Sequence, residues 1–169
     1  MKHVKSIELL NKAIQDELLA IHQYMYFHFR CDDQGYDPLS ALFRQTAIQE
    51  MGHVERLAER VLFLKGEVEM AVGGQVAKIH DVREMLAKAK SMEEESAHSY
   101  NLWANECAAN ADAASKKLFE ALVDDEERHF DNFETQEEHI QQFGEQFLAL
   151  QSVERSKKIA GPTTGTERV

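Results

Sequence analysis

IQEMGHVERL at residues 48–57 and DDEERHFDNF at residues 124–133 each place a histidine three positions after a glutamate: Glu50 with His53, and Glu126 with His129. Three positions are close to one helical turn, so each pair projects from one face of a helix. Such a pair alone says little in a glutamate-rich chain, and a third, Glu95 with His98, is also present. The distances to other carboxylates are more specific. Glu17 precedes Glu50 by 33 residues, and Glu93 precedes Glu126 by 33 residues. The two units are therefore offset by 76 positions throughout, and at that offset Tyr24 matches Tyr100, His22 matches His98 and Cys31 matches Cys107. Leu42-Phe43 likewise matches Leu118-Phe119. The chain reads as two copies of one helical hairpin.

Apolar periodicity carries this reading along the chain. Ile7, Leu10, Ile14, Ile21 and Met25 mark one face of a first helix over about 4–31. DDQGYD (32–37) is a turn, with Asp37 expected as the cap and Pro38 as the first helical residue of a second helix that Gly66 ends. Residues 66–80 form the longest connection. Asp81 and Glu84 read as a capping box that opens a third helix to about 109, and a fourth follows from the turn at 110–112 to about 143. Gly144 separates it from a short fifth helix. The expected fold class is all-α: a four-helix bundle with a long crossover between helices two and three and a short fifth C-terminal helix. One domain over 1–153 and a disordered tail over 154–169 are expected.

The repeat has a chemical consequence. Folding the hairpins about a two-fold axis gathers Glu17, Glu50, Glu93 and Glu126 with His53 and His129 in the interior. Four buried carboxylates must take up protons or bind cations. Oxygen-rich sites with some imidazole suit iron or manganese, whereas structural zinc sites favour thiolates. One Glu from each of two helices and a Glu-x-x-His from each of the other two is the di-iron carboxylate pattern of helix bundles. The expectation is a dinuclear metal site. Glu95 already lies two residues from the matched Glu93, on another face, so Glu95 and His98 are expected in solvent.

Composition narrows the alternatives. A formal charge of −11 argues against nucleic acid as the partner and is compatible with attracting cations. No apolar run reaches the roughly 18–20 residues that a transmembrane helix needs, so no membrane partner is expected. The N-terminal stretch turns acidic too early for a signal peptide. Two cysteines make no disulfide framework, and a cytoplasmic setting is the expectation.

DELLAIHQY (16–24), QEMGHVERLAERVLFLKG (49–66), the helix from Glu93 to Tyr100 and DDEERHFDNFETQ (124–136) together resemble bacterioferritin, a ferritin-like family, over about residues 3–152. QFGEQFLALQ (142–151) is similar to that family's short fifth helix. The resemblance implies two iron ions per chain, with Glu17 and His53 on one, Glu93 and His129 on the other, and Glu50 and Glu126 bridging them. It implies that Tyr24 is the catalytic tyrosine beside that centre. The implied activity is ferroxidation of Fe(II) by dioxygen or hydrogen peroxide, with ferric mineral stored in a homo-oligomeric shell of twenty-four chains. A ferredoxin-type protein is the implied electron donor.

Met51 is one residue from Glu50 and therefore turns away from the metal face. Spacing alone reads it as a flexible residue packed in an interface. The resemblance makes it the axial ligand of a haem b shared between two chains, for which a thioether is chemically suited. Gln45 and Gln49 depart from family members that carry a histidine and an aspartate there as an extra iron site. Amides are poor iron ligands, which counts against that route here. Gly52 replaces a bulkier polar residue beside Met51. Two further readings stay open: a di-iron enzyme that reduces peroxide without storing mineral, and a twelve-chain protective shell. The absence of a Cys-x-x-Cys motif weighs against the first.

Overall fold

The computed structural model describes residues 3–160. Its helices are α1 (Val4–Asp33), α2 (Asp37–Phe63), α3 (Val82–Ala109), α4 (Ala113–Phe143) and α5 (Glu145–Ala160). α1 packs chiefly on α2 and α3 chiefly on α4, and the two hairpins meet through lighter α1–α3 and α2–α4 contacts. This is the four-helix bundle with a long crossover that the periodicity predicts. α5 lies against α2 and α4. It extends to Ala160, so the expectation of disorder from 154 onward is corrected over 154–160. Arg155 and Lys158 explain the extension, because both pair with Asp37 at the start of α2. The rest of the expected tail lies outside the described residues.

Three helices end in the same way. Tyr36 N–H bonds the Cys31 carbonyl, Gly66 N–H that of Val61, and Asp112 N–H that of Cys107. Each bond closes a Schellman turn around one residue of positive φ: Gly35 (82°), Lys65 (63°) and Ala111 (56°). The left-handed residue that ends α2 is therefore Lys65, not the expected Gly66. Gly66 is required for another reason: a Cβ there would lie 2.7 Å from Ile7 Cγ2. At the start of α2, Asp37 is already helical and Tyr36 is the cap, one residue earlier than the Asp-Pro reading. Asp81 caps α3 by accepting from Arg83 and Glu84 N–H. The matched cysteines thus share a structural position, and both are buried. Burial pushes the Cys31 thiol up to about 12 and raises that of Cys107.

The crossover is strapped to α1 by side-chain amides. Asn11 bonds Glu67 carbonyl and Glu69 N–H, and Gln23 bonds both backbone groups of Ala77. The apolar interior falls into two clusters. One holds Leu10, Ile14, Leu57, Tyr100, Trp103 and Phe119, and the other holds Tyr24, Phe27, Phe43, Met85, Leu86 and Phe133. Between these clusters lie the charged residues that the repeat singled out.

Candidate metal centre

The structure brings Glu17 from α1, Glu50 and His53 from α2, Glu93 from α3, and Glu126 and His129 from α4 into one buried layer. None of the six is more than 3% exposed. They form two overlapping groups, Glu17–Glu50–His53–Glu126 and Glu50–Glu93–Glu126–His129, in each of which the donor atoms lie within 4.8 Å of one another. Glu50 and Glu126 belong to both. His53 Nδ1 is 2.7 Å from Glu50 Oε2, 3.1 Å from Glu17 Oε1 and 3.2 Å from Glu126 Oε1. His129 Nδ1 is 2.9 Å from Glu50 Oε1, 3.4 Å from Glu126 Oε2 and 3.6 Å from Glu93 Oε2. The two imidazole centroids stand 5.8 Å apart.

One nitrogen facing three carboxylates cannot hydrogen-bond them all. Both Glu50 oxygens, Glu126 Oε1 and His129 Nδ1 are buried without a hydrogen-bond partner, despite these short separations. Polar atoms so placed are costly unless something else satisfies them. A pair of cations at the two foci would do so, and the mixed carboxylate–imidazole set fits iron. Without cations the layer must hold protons. Burial, then the neighbouring carboxylates, push Glu17 and Glu93 well above the carboxylate range. Burial also acts to raise Glu126, but the facing imidazoles of His129 and His53 outweigh it and hold this group low. Burial opposes charge on His129, yet Glu126, Glu50 and Glu93 raise it to about 12. His53 is raised for the same reason.

The outer nitrogens of the histidines are also fixed. His53 Nε2 donates to Asp125 Oδ2 at 3.2 Å, and His129 Nε2 donates to Gln49 Oε1 at 2.9 Å. Such bonds keep the outer proton on Nε2, so that a ring giving up its inner proton turns an Nδ1 lone pair to the centre. Tyr24 OH donates to Glu93 Oε1, and Tyr100 OH donates to Glu17 Oε1 at 2.7 Å. Each tyrosine therefore holds the carboxylate of the other hairpin. Burial, then the Glu93 carboxylate for Tyr24 and the Glu17 carboxylate for Tyr100, keep both phenols protonated.

The sequence reading gave Tyr100, Asp125 and Gln49 no role in holding this layer. Tyr100 is the match of Tyr24 at 76 positions, so the repeat already held the signal. Gln49 and Asp125 also share that offset, but their differing residue types concealed it. Met51 stands outside the layer, 52% exposed. Glu95 and His98 are exposed as expected, His22 is exposed too, and Trp103 is buried.

A family model for the ferritin-like domain matches residues 7–146. The bacterioferritin of Desulfovibrio desulfuricans is 34% identical over 165 residues, 98% of this chain and 88% of that protein. That of Rhodobacter capsulatus is 36% identical over 147 residues, covering 86% and 91%. The X-ray structure of the Desulfovibrio protein, which shows its diiron site in different catalytic states, superposes with a TM-score of 0.86 at 34% identity over 88% of this chain and 86% of that one. The Rhodobacter structure, with a metal-free dinuclear site and a haem iron, also gives 0.86, at 32% identity over 98% and 100%.

Proposed function

Because the chain belongs to the bacterioferritins within the ferritin-like family, we propose that it stores iron and oxidises Fe(II) to Fe(III) at the six-residue centre. The observation that carries this reading is the pair of foci sharing Glu50 and Glu126, with buried donor atoms that nothing else satisfies. Fe(II) is the substrate, and two ions held close together can jointly deliver electrons to dioxygen or hydrogen peroxide. Glu17 and His53 hold one ion, Glu93 and His129 the other, and Glu50 and Glu126 span both.

The chain's own groups prepare that binding. Fe(II) displaces the protons that His53, His129, Glu17 and Glu93 hold without it, so binding is accompanied by proton release. Asp125 and Gln49 keep the imidazoles turned inward. Tyr24 fixes Glu93, and we assign it as the catalytic tyrosine of the resemblance. No described helix is long and apolar enough to cross a membrane, and a cytoplasmic setting is part of the same reading.

The finer assignments rest on the relatives and on exposed apolar surface. Met51 and Ile48, 52% and 44% exposed, stand one turn apart on the outer face of α2. A Cβ at Gly52 would meet nothing within 4 Å, so the ground beside Met51 is open. This fits an axial thioether offered to a haem b shared with a second chain, where the haem would supply a one-electron relay. A twenty-four-chain shell and a ferredoxin-type donor complete the proposal.

Aerobic loading with excess Fe(II), followed by sizing chromatography, tests it. Iron far above two per chain, eluting with a large particle, is expected. A plateau near two per chain would overturn storage and move the function to peroxide-reducing redox chemistry.

A further inference from the structure

The six residues of the buried layer obey the repeat, but what stands behind them does not. At an offset of 76 positions Glu17 matches Glu93, Glu50 matches Glu126 and His53 matches His129, and the two foci are built alike. Behind the imidazoles the match fails. His53 Nε2 donates to the carboxylate of Asp125, whereas His129 Nε2 donates to the amide oxygen of Gln49, the matched position. The next residues out differ in the same sense. Arg56 at 3.2 Å and Arg128 at 2.9 Å fix the Asp125 carboxylate, while the positions that match these arginines are Asn132 and Gly52. One imidazole is thus backed by a clamped anion and the other by a neutral amide. The focus around His53 is also the more compact. Its Nδ1 has three carboxylates within 3.2 Å, against 3.6 Å for those around His129 Nδ1.

We propose that Asp125 makes the two metal positions unequal, so that Glu17 and His53 take the first ion and Glu93 and His129 only the second. The inference rests on the two-metal reading above. A carboxylate that accepts from the outer N–H pushes electron density toward the inner nitrogen and fixes the ring, and losing such a partner costs about 10–100-fold in metal affinity. The amide oxygen of Gln49 accepts the same bond without a charge. Arg56 and Arg128 oppose the anion, but their side chains are 41% and 53% exposed and screened by water, while Asp125 bonds the ring itself. Asp125 is a positioning residue, acting on the metal only through His53. Two ions that share Glu50 and Glu126 repel each other, so even equal positions would fill in two steps. The inequality lies in which position the first ion takes. At limiting Fe(II) each chain then gathers one ion at a defined place, and the ion at Glu93 and His129 completes the pair that reduces the oxidant.

The test is titration of the full-length, chelator-treated protein with Co(II) without air, read by the visible absorbance of the bound ion. The first binding step should weaken about tenfold more in Glu17→Gln than in Glu93→Gln, because only the former impairs the preferred position. Asp125→Asn should weaken the first step by about tenfold and abolish the difference between those two variants. Gln49→Glu should strengthen the second step. Exchanging the two residues, Asp125→Asn together with Gln49→Glu, should reverse the preference, so that Glu93→Gln becomes the more damaging change. A merely structural role for Asp125 would produce no such reversal. Equal weakening by Glu17→Gln and Glu93→Gln, or an unchanged first step in Asp125→Asn, would overturn the proposal and leave the two-metal centre standing. Uptake of no more than one Co(II) per chain by the unaltered protein would sink both.

Discussion

Glu50 faces both histidines and belongs to both metal groups, so its loss should damage both positions together. Glu50→Ala is expected to abolish rapid Fe(II) oxidation while leaving the bundle folded. Co(II) gives a readout that does not depend on turnover. At a concentration near 100-fold above its dissociation constant, it should raise the unfolding free energy of the unaltered protein by about 3 kcal/mol. The gain in Glu50→Ala should be small, and an equal gain would remove Glu50 from the site. Asp112 lies outside the six-residue layer. It is buried, caps Ser115 N–H at 3.1 Å and meets Arg60 Nη2 at 2.6 Å. Burial acts to raise its carboxyl, but the bonds from Ser115 and Arg60 win and lower it to about 2. A folded value below the unfolded one of about 3.9 gives stability that is complete above pH 4 and lost as pH falls toward 2. The amount is about 2.6 kcal/mol at most. Asp112→Asn should therefore lower the urea midpoint at pH 7, and the difference should close between pH 4 and 2. A gap that persists at pH 2 would mean that the carboxylate charge is not the source.

Helix ends offer a comparison internal to the molecule. Gly35 and Ala111 lie 76 positions apart and close matching turns, yet only the first is a glycine. An alanine at φ 56° carries strain that glycine does not. Ala111→Gly is thus expected to stabilise the protein by about 0.5–1 kcal/mol, read as a higher urea midpoint; a fall would show that the turn tolerates its Cβ. Gly66→Ala should act oppositely and cost about 1–3 kcal/mol, because its Cβ would press on Ile7 and Val61. These two residues mark what the sequence made legible. Helix number, order and approximate ends follow from periodicity and turn residues, which are local signals. Glycine is the usual stop, which points to Gly66 as the end of α2, whereas the left-handed residue there is Lys65. The α5 extension was missed because arginine and lysine pairs with Asp37 leave no apolar periodicity. The amide straps of Asn11 and Gln23 were unreadable for a similar reason: side chain to backbone pairing across 54–58 residues has no sequence period. The six buried carboxylate and imidazole residues were legible because charge in a core must be matched by geometry, and that geometry repeats.

A single copy of this chain leaves Phe29, Ile48, Met51, Leu62 and Phe63 substantially exposed, which is more apolar surface on α1 and α2 than a lone bundle needs. Assembly would cover it, and Met51 then has two distinct physical roles that one substitution separates. Leucine keeps nearly the volume and apolar character of methionine but offers no lone pair to iron. If Met51 is the axial ligand, Met51→Leu protein should elute as a particle of unchanged size and lack the haem absorbance band. If Met51 serves only to pack two chains, the band should survive in the variant. A haem spectrum retained at full intensity would move the ligand elsewhere. The buried layer proposed as the ferroxidase centre supplies the control within the same sample. Met51 projects away from the buried layer, so initial Fe(II) oxidation should be unaltered in Met51→Leu even where haem is gone. A slowed initial rate would mean that the two sites are coupled through α2, on which Glu50, Met51 and His53 all lie.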